Sequence, residues 1–240
     1  MNILRAVVVG GAVTLLCLSG SAAEPAAEMK TLLSERGKLL FADDFTQPLG
    51  SDWRTSMGRW EIVDGVLKSS QLKTETSGPK TVHMMPFRNV IIQYSFKLEG
   101  ARITMLSMND AKGHCCQLMI FPSSIAIQKG THDHNKADKM EILDSRKVAI
   151  KRGEWHTIVL EIHGREVLAS LDGGVIAFSA HDCIDVAKVN FYLTVGGESA
   201  SFRNLRVWEA LPNKSWDTTK TKLLQERANS GGQEFHQRER

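Results

Sequence analysis

Val90-Ile91-Ile92-Gln93-Tyr94-Ser95-Phe96-Lys97-Leu98 alternates: Ile92, Tyr94, Phe96 and Leu98 fall on one side, Ile91, Gln93, Ser95 and Lys97 on the other. Successive side chains of an extended chain point to opposite faces, so this period of two predicts a strand with one face in a core. Trp155 to His163 repeats the pattern, with Ile158, Leu160 and Ile162 opposed to Thr157, Val159, Glu161 and His163. Val189 to Val195 does so again, setting Phe191, Leu193 and Val195 against Asn190, Tyr192 and Thr194. Nothing between residues 38 and 210 sustains the 3.6-residue period of a helix.

Turn signals separate these runs: Asp64-Gly65, Glu99-Gly100, His163-Gly164, Asp172-Gly173-Gly174 and Gly196-Gly197. Asp64-Gly65 joins Trp60–Val63 to Val66–Lys68 as a tight hairpin, and Asp172-Gly173 joins Val167–Leu171 to Val175–Phe178. Short strands at hairpin spacing predict an all-β, antiparallel sandwich or barrel. Phe202 and Leu205 fall out of phase, which marks a bulge near Asn204. The polar stretch Gly130 to Arg146 reads as an exposed loop.

Arg5 followed by the apolar run Ala6 to Leu18 and by Ser21-Ala22-Ala23 has the form of an export signal cleaved after Ala23. Residues 1–23 are therefore expected to leave a secreted or periplasmic protein, with no membrane segment once the signal is gone. Residues 24–37 form a polar lead-in with a short helix, residues 38–210 one domain, and residues 211–240 a charged tail in which a short helix gives way to disorder. The net charge of +3 falls by one with Arg5, and the basic residues form no stripe, so no nucleic-acid partner is expected. Outside the signal stand Cys115, Cys116 and Cys183, an odd number. Cys115 and Cys116 would face opposite ways on a strand, so at most one meets Cys183; all three equally suit small buried apolar sites.

Four stretches resemble the 3-keto-disaccharide hydrolase-like family of bacterial secretomes. These are Phe41 to Phe45 followed by Trp53, Gly58 to Leu67, Gly153-Glu154-Trp155-His156-Thr157 leading to Leu171-Asp172-Gly173, and Ala200 to Val207. The resemblance covers residues 38–210 and implies a concanavalin A-like jelly roll acting on carbohydrate, including keto-sugars, as a monomer. It departs from the family where an Asn-Ser-Gly segment is usual, since Arg102 to Asp110 and His114 to Leu118 stand there instead.

Jelly rolls of this class bind sugar on the concave face of one sheet. Hydroxyl groups need amide, carboxylate or guanidinium partners, and the apolar face of a pyranose needs an aromatic ring. Asn190 and Tyr192 on one strand, with Gln93, Gln117 and Gln128 on others, answer that description, as does Asn109. Hydrolysis of an ordinary glycoside calls for two flanking carboxyl groups. Asp43-Asp44, Asp110, Glu161 and Asp185 are the nearest candidates, but none forms an informative pair. Elimination beside a ketone needs only a base, with or without a divalent metal. This chemistry makes Asp110 and His114 the candidate catalytic residues and His132 and His134 a candidate metal pair. A non-catalytic lectin-like or laminin-G-like module, and a structural envelope protein, are the alternatives.

Overall fold

The computed structural model describes residues 27–131 and 138–229. In chain order these form β1 (Ser34–Asp43), β2 (Trp53–Ser56), β3 (Arg59–Val63), β4 (Val66–Ser70), β5 (Lys80–Phe87), β6 (Val90–Leu98), β7 (Ala101–Asp110) and β8 (His114–Phe121). There follow β9 (Ser124–Lys129), β10 (Glu141–Lys147), β11 (His156–His163), β12 (Glu166–Leu171), β13 (Val175–Ala180), β14 (Lys188–Gly197), β15 (Ser199–Pro212) and the helix α1 (Trp216–Asn229). The strands build two antiparallel sheets. One has eight strands, in the order β13-β12-β11-β6-β15-β4-β3 with β1 pairing β15; the other has seven, in the order β10-β9-β8-β7-β14-β5-β2. The all-β sandwich is as the alternation predicted, and its concanavalin A-like jelly-roll form is as the resemblance implied.

Alternation sets the core. Ile92, Tyr94, Phe96, Ile158, Leu160, Ile162 and Phe202 of the eight-stranded sheet meet Leu106, Met108, Leu118, Ile127, Phe191 and Leu193 of the seven-stranded one. Removing such side chains from water is the main drive for closing the sandwich, worth about 1.5–3 kcal/mol for each large apolar residue. The turns follow their residues: Asp64 (φ 51°) and Gly65 (φ 71°) close a two-residue hairpin in which Val63 pairs Val66. The predicted bulge is present, with Asn204 at φ 54° and the β15–β6 register shifting between Arg203 and Arg206.

The outer face of the eight-stranded sheet differs from its polar look. The segment before β1 and the helix α1 lie across it, so Ile91, Val159, Trp208 and Ala210 pack with Met29, and Leu168 and Phe178 pack with Leu33 and Trp216. Two polar strand residues hold the leading segment. Gln93 Oε1 accepts from Met29 N at 2.9 Å, and Gln93 Nε2 donates to Ala27 O at 3.2 Å. Glu161, with no exposed surface, accepts from Leu32 N and Ser34 N, each at 2.8 Å. Residues 27–33 carry no helix; the Met29 and Leu32 N–H groups are spent on these side chains, and β1 begins at Ser34.

The stretch predicted as one loop from Gly130 to Arg146 contains a strand. Glu141–Lys147 is the edge strand β10, paired with β9. Its polar side chains suit an edge with an exposed side, which is why alternation does not reveal it.

Candidate functional site

Parity and register assemble a polar row on the outward face of the seven-stranded sheet. Since Leu106, Met108, Leu118, Ile127, Phe191 and Leu193 point inward, their neighbours Ser107, Asn109, Gln117, Gln128, Asn190 and Tyr192 point outward. Gln128 on β9 lies opposite Gln117 on β8, Gln117 opposite Ser107 on β7, and Ser107 opposite Tyr192 on β14. In the next row Asn190 lies opposite Asn109, and Asn109 opposite His114. Asn109, His114, Gln117, Gln128, Asn190 and Tyr192 are thus brought together.

His114 reaches this face through a bulge. Cys116 pairs Met108 and His114 pairs Asn109, so Cys115 is an extra residue. Strict alternation would place His114 with Cys116, toward the core; the extra residue turns the imidazole outward. Cys115 and Cys116 are consequently both buried, not on opposite faces. Cys115 Sγ donates to Met108 O at 3.3 Å, Cys183 Sγ donates to Cys115 O at 3.6 Å, and all three are free thiols. Gly130 belongs to the same device: a Cβ there would lie 2.1 Å from the His114 carbonyl oxygen.

The floor is ordered by side-chain contacts. His114 Nδ1 lies 2.7 Å from Asn109 Oδ1 and 2.8 Å from the Tyr192 hydroxyl, and Gln117 Nε2 donates to Ser107 Oγ at 3.2 Å. Tyr192 is only 4% exposed, Gln117 and Asn190 8% each, so these outward side chains sit in a recess. Burial holds the Tyr192 phenol above its usual pKa, against the opposing pull of hydrogen bonds with Ser107 and Gln117. The hydroxyl therefore stays protonated near neutrality. Asn190 Oδ1 is buried and has no hydrogen-bond partner. An unmatched acceptor of this kind is costly in a folded protein.

The remaining expected residues lie elsewhere. Asp110 Oδ1 accepts from Lys112 N and Gly113 N, both at 2.8 Å, and so organises the β7–β8 turn that precedes His114. Gln93 is on the other sheet, holding the leading segment, and does not share a face with Gln117 and Gln128. His132 and His134 fall outside the described residues; among the described residues no group of three or more His, Cys, Asp or Glu is placed to hold a metal ion. Asp43 accepts from Phe45 N at 2.7 Å and from Trp53 Nε1 at 3.1 Å, shaping the turn after β1. Asp185 pairs with Arg88 at 2.8 Å.

The sequence reading missed Ser107, Thr194 and Lys80. Ser107 stands two residues from Asn109 and Thr194 two from Tyr192, so parity alone would have found them. Lys80 opens β5, whose Pro86 and Met-rich run obscure the strand, and its Nζ lies 5.0 Å from the centre of the Tyr192 ring. Cavities of about 580 and 510 Å³ lie at the sandwich edge between β2 and β3, where Trp60 and Thr55 line both; the smaller is also lined by Ser56, the β2 neighbour of Lys80.

No family model matches the sequence, and no curated protein matches it. Solved structures share its architecture. A carbohydrate-binding module, CBM66 from Bacillus subtilis, superposes with a TM-score of 0.55 at 13% identity, over 66% of this chain and 96% of the module. A Bacillus subtilis protein of unknown function with a galectin-like fold gives 0.58 at 13% identity, over 75% of this chain and 100% of that one. SCLam, a non-specific endo-β-1,3(4)-glucanase of family GH16, gives 0.55 at 13% identity, over 75% of this chain and 96% of the enzyme. At such identities the likeness establishes the jelly-roll fold.

Proposed function

We propose that this protein is a carbohydrate-active jelly roll that binds an oligosaccharide along the outward face of the seven-stranded sheet. The observation that carries the reading is the convergence of Gln128, Gln117, Ser107 and Tyr192 in one row, beside Asn190 and Asn109 in the next. Amides and hydroxyls offer the paired donors and acceptors that sugar hydroxyls require, and the row provides them without charge. Four strands about 4.8 Å apart give a row of roughly 15 Å, the scale of a short oligosaccharide. A carbohydrate-binding module and a glucanase among the structural neighbours support the same reading. The export signal expected over residues 1–23 agrees with a substrate outside the cytoplasm.

Calorimetric titration against a panel of neutral and charged oligosaccharides tests this, with Gln117→Ala as the diagnostic variant. The expected result is binding that weakens about fivefold in the variant while its thermal midpoint stays within a few degrees, since one well-placed hydrogen bond contributes about 1 kcal/mol. A panel with no binder overturns the proposal.

The contact of His114 with Tyr192 and Asn109 favours a second reading, in which the face also performs chemistry. An imidazole beside a protonated phenol supplies a base and an acid for elimination next to a ketone, the reaction suited to a 3-keto-glycoside. Asp110 then acts through the turn that places His114. Turnover of a 3-keto-glucoside that disappears in His114→Ala, and persists in Asp110→Asn at a reduced rate, is the expected outcome; absence of turnover in the parent protein leaves the binding reading alone.

A further inference from the structure

We infer that the saccharide taken by this face is acidic, a uronate-containing glycan whose carboxylate is read by Lys80. The inference rests on the reading of the face as a carbohydrate site. It starts from the signs of the groups on that face. Following the register across β5, β14, β7, β8 and β9, the outward polar side chains are Lys80, Asn190, Tyr192, Thr194, Ser107, Asn109, His114, Gln117, Gln128 and Ser124. Among the described residues not one of these outward positions carries a carboxylate. The edge strand β2 adds another cation, since Arg54 lies opposite Val82 in the Tyr192 row.

Lys80 is the half-buried cation of the set. Its strand position faces Thr194 of β14 on one side and Ser56 of β2 on the other, and its ammonium rests 5.0 Å from the Tyr192 ring centre. No carboxylate of the described residues pairs with it. An ammonium held against an aromatic face is only partly compensated by the ring, by about 0.5–1 kcal/mol where solvent is near. It keeps its three donors for an anion arriving from the open side. The neighbouring amides can present their NH2 groups to a second carboxylate oxygen or to ring hydroxyls, so the same row serves an acidic sugar without any group to repel it. Low-dielectric walls strengthen such a contact relative to the same pair in free solution.

The test compares short oligomers of galacturonate, glucuronate and mannuronate with their carboxyl-reduced neutral counterparts, titrated into the full protein at low and moderate salt. The expected result is at least tenfold tighter binding of one acidic oligomer over its reduced partner, a preference that shrinks as salt is added. Lys80→Met should bring the ratio close to one, and Lys80→Arg should restore most of it. Acidic and reduced oligomers bound equally well by the parent would overturn the inference and leave the carbohydrate reading standing. Binding of neither, together with an empty neutral panel, overturns both, and an acid preference that survives in Lys80→Met removes Lys80 from the account.

Discussion

Glu161 is a carboxylate with no exposed surface, held by backbone N–H groups with the Arg36 cation nearby. Burial raises its pKa from 4.5 to about 7, and the hydrogen bonds from Leu32, Ser34 and Leu33 only partly offset this. A raised carboxyl pKa stabilises the fold most at acid pH, below the unfolded value of 4.5; that contribution, roughly 3 kcal/mol, is lost as pH rises through about 7. His83 works in the opposite sense. It is 3% exposed, lies against Phe41, Trp53 and Phe191, and its pKa is lowered by burial despite Asp52. Its contribution is present above the unfolded value of 6.5 and is lost on acidification. In Glu161→Gln the loss of stability above pH 5 should vanish and the acid-side loss should stand out, in urea unfolding measured from pH 5 to 8. The variant should also be about 1–3 kcal/mol less stable at pH 5, because its amide NH2 opposes one of the backbone donors.

At the scale of the strand, two single-residue insertions decide what faces where. The extra Cys115 turns His114 outward, and the kink at Asn204 keeps Phe202 and Leu205 both in the core. Asn204 holds φ 54°, which a β-branched residue adopts only with strain. Asn204→Val is therefore expected to cost about 1–2 kcal/mol in thermal unfolding, and Asn204→Gly only a few tenths. These bulges mark how far the sequence could be read. The Asn204 bulge is visible because large apolar residues on either side fall out of phase. The one at Cys115 is hidden, since Cys, Cys and Gln give no phase to break. Gln93 shows a different limit: alternation gives a side chain's parity within its strand but not which sheet the strand joins or what lies over it. Asn190 and Tyr192 were legible because their strand alternates cleanly; Lys80 was not, because β5 does not.

At the scale of the molecule, the two sheet faces have divided their work. One is roofed by the leading segment and by α1, whose Trp216 packs on Phe178 with ring centres 5.1 Å apart and donates to Glu166 at 2.7 Å. The other keeps the amide row. Trp216→Ala should lower stability by about 3 kcal/mol through the lost apolar contact and the loss of one of the two donors to Glu166, which keeps Lys220. Its saccharide affinity should stay within a factor of two of the parent, because no residue of the row touches the helix; a parallel fall in affinity would show that the faces are coupled. Both the leading segment and α1 run over the roofed side. Residue 27 and the start of α1 at Trp216 therefore stand on the back of the domain, so a surface or a neighbouring molecule that grips this roofed side leaves the amide row turned toward the solution.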